Sequence, residues 1–187
     1  RMYGFQFMVD LLQPATSEKR WPAVSENQAA GLCYTSGTTG LPKGVLYSHR
    51  SIVLHATILC LPDSFGLSSK DSVLAITPMY HVNGWGLPFA TAMVGARLVL
   101  PGPNLDGFSL VKLINEEGIT VSVGVPTIWE EVLVALEETG ERLDTLERIY
   151  VGGSVVPDRM IQDFQHFGVD CIQAWGMTEL CPLGTIN

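Results

Sequence analysis

Apolar residues recur along this chain in two alternating rhythms. Short apolar runs fall at Ala30–Thr35, Val73–Thr77, Arg97–Leu100, Thr120–Val123, Arg148–Val151 and Asp170–Ala174. Between them lie segments whose apolar positions fall three and four apart, the spacing of one helical face. Trp129, Val132, Leu133 and Leu136 line such a face after Pro126, and Met160, Ile161, Phe164 and Phe167 line another between Pro157 and Gly168. Proline opens each helix and Gly168 stops the second. A further helix is expected from Ser48, whose hydroxyl suits an N-cap. Strands alternating with helices predict an α/β fold, a mostly parallel sheet flanked by helices. Residues 1–28 break the rhythm with Pro14, Pro22 and mixed charges around Glu18, so they read as a leading loop or edge segment before the unit 29–187.

Composition narrows the functional classes. Hydrophobic residues make up 47% of the 187 and charged ones 16%, apolar enough to predict that some surface faces another body. The net charge is −8, and the 11 Lys and Arg residues are scattered, which excludes nucleic acid as the expected partner. The four cysteines lack C-x-x-C spacing and do not cluster with histidines, so neither zinc nor a disulfide framework is expected, and reduced thiols in the cytoplasm are. Apolar runs stop well short of the ~20 residues that span a bilayer, so no transmembrane segment is expected.

Chemistry concentrates after the strands. Thr35, Ser36, Gly37, Thr38, Thr39, Gly40 and Lys43 put hydroxyls, bare glycine backbone and one cation into a single loop, a combination suited to phosphate. Lys43 sits between Pro42 and Gly44, so the loop is not a Walker A motif. His81, Val82 and Trp85 follow the second run, where open α/β sheets place ligands. Gly152, Gly153 and Ser154 end another strand in exposed backbone on which a flat ligand can lie. Gln173, Ala174, Trp175, Gly176, Met177, Thr178 and Glu179 then offer an aromatic ring to stack on a base, a hydroxyl for a phosphate oxygen and a hard carboxylate for Mg²⁺.

The loop from Tyr34 to Val45 and the segment from Gln173 to Glu179 resemble the two signatures of the adenylate-forming, AMP-binding superfamily, and His81-Val82-Asn83-Gly84-Trp85 is similar to a motif of bacterial medium- and long-chain fatty-acyl-CoA synthetases. The resemblance implies a subdomain of the N-terminal domain of such an enzyme. It implies ATP, Mg²⁺ and CoA, activation of a fatty acid to acyl-AMP, and then thioester formation. On these residues it places the β- and γ-phosphates on the loop Thr35–Lys43, and Mg²⁺ on Thr35 and Glu179. His81, Thr178 and Lys43 stand as catalytic residues, and Trp85 as the gate of an acyl tunnel. Val82, Gly152, Gly153, Ser154, Gln173, Ala174, Trp175, Gly176 and Met177 surround the nucleotide. Trp175 stands where the family usually has Tyr. The family's ribose-binding aspartate and lysine-bearing C-terminal domain are expected beyond Asn187, so the 187 residues alone are expected to show no full turnover. The partners implied are small molecules, and a homo-oligomer is compatible with the sequence. Aryl or amino-acid adenylation, and nucleotide binding without turnover, are the alternative readings.

Overall fold

The computed structural model describes residues 22–36 and 40–187. Its centre is a six-stranded sheet: β3 (Ser72–Ala75), β4 (Arg97–Val99), β5 (Val121–Gly124), β6 (Arg148–Val151), β7 (Asp170–Gly176) and β8 (Leu183–Ile186), in the spatial order β4-β3-β5-β6-β7-β8. All neighbours are parallel except β7 and β8. Among the described residues the helices of eight residues or more are α1 (His49–Leu59), α2 (Leu87–Val94), α3 (Gly107–Glu116), α4 (Pro126–Thr139) and α5 (Asp158–His166).

Strand order decides where the helices go. The chain steps from β3 outward to β4, then returns past β3 to β5 and continues one way to β7. Parallel crossovers are right-handed, so the connection α2 covers one face and α3, α4 and α5 the other. The strands alternate accordingly: Leu74, Ile76, Ile149 and Val151 pack with Leu110, Trp129, Leu136 and Phe164, while Val73, Ala75, Val121, Val123 and Tyr150 pack with Ile52, Leu59, Leu87 and Ala90 of α1 and α2. A sheet buried on both faces needs the near-continuous apolar strands seen in the sequence.

Local signals account for the helix starts. The Ser48 hydroxyl accepts the Ser51 N–H at 3.1 Å, and the Asp106 carboxylate accepts the Ser109 N–H at 2.9 Å. Pro126 occupies the first turn of α4, and Gly140 closes it in the left-handed region.

One expected strand belongs elsewhere. Ala29–Thr35 (β1) does not join the parallel sheet but pairs antiparallel with Lys43–Ser48 (β2), Thr35 opposite Lys43. The segment expected to hold phosphate thus starts and ends on two paired antiparallel strands. The sequence reading left Lys43–Ser48 unassigned because two glycines, a proline and a lysine crowd its start; its inward Tyr47 and outward Leu46 show the alternation of a strand. Residues 22–28, part of the expected leading segment, are irregular and exposed, and 1–21 lie outside the described residues.

The rim below the sheet is tied by one ion pair. Arg148 meets Asp71 at 3.1 Å, and Asp71 also accepts the Ser68 N–H at 2.8 Å and the Thr120 hydroxyl at 2.9 Å. Burial pushes the Asp71 carboxyl upward, but these donors and Arg148 outweigh it and hold the pKa below the usual range. That contribution is complete above the ordinary carboxylate pKa and is lost as pH falls through the lowered one. Asp71→Ala removes the acceptor shared by Ser68, Thr120 and Arg148, leaving the guanidinium only Glu147 and two backbone carbonyls, and is expected to lower stability by about 2–3 kcal/mol in denaturant unfolding, the loss shrinking in acid. Ligand binding at the opposite end should stay unchanged.

Among the described residues no helix is long and apolar enough to cross a membrane. Val53, Leu54 and Ile58 of α1 and Phe89 and Met93 of α2 are exposed, the uncovered surface that the apolar composition foreshadowed.

Candidate active site

The sheet has one switch point, between β3 and β5, and open α/β sheets bind ligands outside the carboxyl ends of their strands there. A cavity of about 220 Å³ opens at that place. Thr77 follows β3 into it, Val123, Gly124 and Val125 come from the end of β5, Gly152 and Gly153 from β6, and Ala174 and Gly176 from β7. His81, Val82 and Trp85 close one side, and Met177, Thr178 and Pro182 another. The lining is largely apolar and holds no carboxylate.

Two features shape the wall. Gly152 has to be glycine, because a Cβ there would strike the backbone carbonyl of Ala174 and stand 3.6 Å from Cη2 of Trp85. The indole therefore lies directly against bare backbone, and only 7% of Trp85 is exposed. The second feature is the turn that presents the indole: Val82, Asn83 and Trp85 carry φ of 51°, 53° and 57°. Left-handed backbone costs such residues roughly 1–2 kcal/mol each, most for β-branched Val82, so surrounding contacts must hold it. Asn83 is reached from β1 by the Cys33 thiol, 3.5 Å from Oδ1.

His55 of α1 lies behind this turn. Burial lowers its pKa to about 4, and among the described residues its Nε2 has no hydrogen-bond partner. An unfolded histidine titrates near 6.5, so the unfolded chain takes up a proton that the folded one refuses. Stability is therefore complete above pH 6.5 and falls as pH drops toward 4. A loss on the order of 2–3 kcal/mol is expected across that window, and an acid titration of the unfolding midpoint that keeps the same limb in His55→Leu would refute it.

The hairpin is stitched to the far wall. Tyr47 on β2 donates its hydroxyl to the Thr178 carbonyl at 2.5 Å, and β1 packs against the turn Thr178–Leu180. Burial, with Cys33 and Cys181 alongside, pushes the Tyr47 phenol well above its ordinary pKa and keeps it a donor. The hairpin that carries Thr35 and Lys43 at one end is thus tied, through Tyr47, to the turn that carries Glu179.

The structure brings His81, Val82, Trp85, Gly152, Gly153, Ala174, Gly176, Met177 and Thr178 around one cavity. Thr35, Ser36, Gly40, Lys43, Ser154, Gln173, Trp175 and Glu179 lie outside its lining. Gly37, Thr38 and Thr39 lie outside the described residues. Trp175 is half-exposed and rests over Gly184 of β8, on the side of β7 away from Ala174. Thr77, Val123, Gly124, Val125 and Pro182 of the lining, and Tyr47 behind it, were missed. Thr77 and Val125 follow apolar strands, and strand ends were the signal available; Pro182, after a turn, offered none.

Among the described residues no group of three or more His, Cys, Asp or Glu side chains forms a metal cluster. Glu179 is exposed beside the hairpin. One carboxylate and one hydroxyl suit Mg²⁺, which keeps several waters and takes phosphate oxygens rather than an all-protein cage.

An α/β sheet with a cavity at its switch point is the arrangement in which open α/β folds take ligands. The chain belongs to the AMP-binding enzyme family, whose model matches residues 6–187. It is 52% identical over 188 residues to a medium-chain-fatty-acid–CoA ligase of Ectopseudomonas oleovorans, covering 100% of this chain and 34% of that protein. With a long-chain-fatty-acid–CoA ligase of Thermus thermophilus it shares 52% over 164 residues, 88% of this chain and 30% of the relative. The fold matches an O-succinylbenzoate coenzyme A synthetase of Bacillus subtilis, solved in complex with ATP and magnesium ion, at a TM-score of 0.79 and 27% identity, over 96% of this chain and 37% of that one. The chain spans about a third of the length of these curated relatives.

Proposed function

We propose that these residues form the acid- and ATP-binding part of a fatty-acid:CoA ligase that proceeds through an acyl-AMP. One observation carries the reading: the His81–Trp85 segment and the Gly152–Gly153 and Ala174–Thr178 segments, similar to acyl-side and nucleotide-side motifs respectively, wall a single cavity. In the first step a carboxylate oxygen attacks the α-phosphorus of ATP and the bond to the bridging oxygen breaks, releasing pyrophosphate. In the second the CoA thiol attacks the acyl carbon and AMP departs. Neither step requires a covalent bond to the protein, so the residues act by placement and charge.

Thr35 to Lys43 receives the β- and γ-phosphates, with Lys43 offsetting their charge. Thr178, its backbone fixed by Tyr47, and His81 flank the reacting carboxylate. Gly153, Gln173, Ala174 and Trp175 frame adenine. Thr35 and Glu179 would hold Mg²⁺, which when bound neutralises phosphate charge. Trp85 bounds the acyl chain, and the apolar, carboxylate-free lining favours a fatty acid over an amino acid, whose amine needs an anionic partner. Use of ATP and CoA as substrates supports a cytoplasmic location.

The full-length protein, given ATP, Mg²⁺ and radiolabelled pyrophosphate, is expected to catalyse exchange that depends on octanoate or palmitate. Exchange driven equally by benzoate or by amino acids, or none with any acid, would overturn the reading.

A further inference from the structure

Five consecutive residues, Val82 to Gly86, have positive φ, and such a turn persists only where its neighbours over-determine it. Besides the Cys33 contact on Asn83, the space beside Gly84 is filled by Sδ of Met79. Gly86, at φ 71°, is covered by His55: a Cβ built on it would stand 2.5 Å from Nδ1 and 2.7 Å from Cε1 of the ring.

His55 departs from the rest of its helix face. Its buried neighbours on α1 are Ile52, Ala56 and Leu59, whereas His55 is 6% exposed and leaves Nε2 without a partner among the described residues. An unpaired buried nitrogen opposes folding, which an aliphatic side chain would not. A void of about 10 Å³ adjoins the ring, lined by Tyr47, Ile52, Val82, Asn83, Gly86, Phe89 and Cys181, so the surroundings offer the ring packing and little polar compensation. What a flat ring does fit is the turn: it lies against the bare Cα of Gly86, its Nδ1 and Cε1 filling the space that a side chain there would take. The ring is neutral at physiological pH and brings no charge under the turn.

We propose that His55 is a positioning residue for the acyl wall: its buried imidazole, seated on Gly86, locks the left-handed turn that holds Trp85 against Gly152 and Gly176. His55 does not line the main cavity, so it acts through Trp85, whose Cη2 would stand 3.6 Å and 3.3 Å from a Cβ on those two glycines. The consequence for acyl chains rests on the fatty-acid reading; the mechanical link from His55 to the turn does not.

Two measurements on full-length His55→Ala separate the claims. Hydrogen exchange by mass spectrometry should show the amides of Val82–Gly86 exchanging about tenfold faster or more, while α3 and α4 stay protected. The ratio of kcat/KM for octanoate over palmitate should move by about tenfold, the KM for ATP staying within about twofold. In a double variant with Trp85→Ala the shift should not add to that of Trp85→Ala alone. Unchanged exchange at the turn overturns the proposal, as does faster exchange with an unchanged chain-length ratio. If the wild type activates no fatty acid, the ligase reading fails, and the exchange result still decides the lock. Should His55→Ala not fold, Gly86→Ala attacks the same contact from the other side: its methyl collides with the ring. His55→Ser/Gly86→Ala should recover part of the protection, and an absence of any recovery overturns the contact.

Discussion

Glu179→Gln in the full-length enzyme is expected to leave the fold intact and slow adenylation by roughly 100-fold, about 3 kcal/mol of transition-state stabilisation. Glu179 is exposed and has no ion-pair partner among the described residues, so losing its charge removes no structural contact. The substitution keeps length and hydrogen-bonding reach. On the proposed reading it withdraws the anion that would hold a cation next to the phosphates, and Tyr47 ties the neighbouring Thr178 to the hairpin that carries Thr35. Charge neutralisation matters while pyrophosphate is leaving. It matters less when CoA attacks preformed acyl-AMP. Pyrophosphate exchange should therefore collapse, thioester formation from added acyl-AMP should fall much less, and raising Mg²⁺ should restore part of the first. Equal losses in both half-reactions, or wild-type exchange, would falsify the assignment.

How much of this was legible in the chain depended on whether the information was local. Strands β3, β5, β6 and β7 and helices α4 and α5 announced themselves through short apolar runs and a four-position helical face, and Ser48 as a cap needed only its own neighbours. Helix α2 escaped because Leu87–Val94 is apolar nearly all round and shows no face: Leu87, Ala90 and Thr91 are buried, while Phe89 and Met93 stay apolar on the exposed side. Helix α3 has its buried face at Leu110, Val111 and Ile114, three apolar positions within ten residues, a shorter pattern than those of α4 and α5. The parallel-sheet assignment of β1 failed for another reason. A strand's partner is set by register and by the reach of the intervening loop, and Thr35 opposite Lys43 is a hairpin that no count of apolar residues reports.

The cavity shows the same division. Residues on carboxyl ends of strands were nameable, since each follows an apolar run. That Thr77 and Val125 share the wall with His81 depends on the chain returning from β4 past β3, so that β5 pairs with the other edge of β3, which is a property of strand order. The left-handed course of Val82–Gly86 was invisible too, because a valine at φ 51° contradicts its own propensity and is imposed by packing.

Trp85→Ala is expected to cost about 3–5 kcal/mol in stability and to shift acyl-chain preference toward longer or bulkier acids by tenfold or more. The stability loss follows from burial: only 7% of the side chain is exposed, and the indole fills the gap between Gly152 and Gly176, neither of which has a side chain to move in. A core tryptophan would give that loss and nothing else. This one also borders the 220 Å³ cavity, so its removal joins the vacated space to the binding site. Some of the destabilisation should be offset, because the strained turn from Val82 onward loses the ring it was holding in place. A long-chain acid that enters the enlarged site should raise the melting temperature of the variant more than that of the wild type, since binding to the folded state stabilises in proportion to occupancy. Kinetics across saturated acids from hexanoate to palmitate, run beside thermal unfolding with and without each acid, separates the two roles. A fall in stability with the chain-length profile unmoved would place Trp85 in the core alone. A shifted profile with the KM for ATP unchanged would fix it as the wall against which the acyl chain is measured.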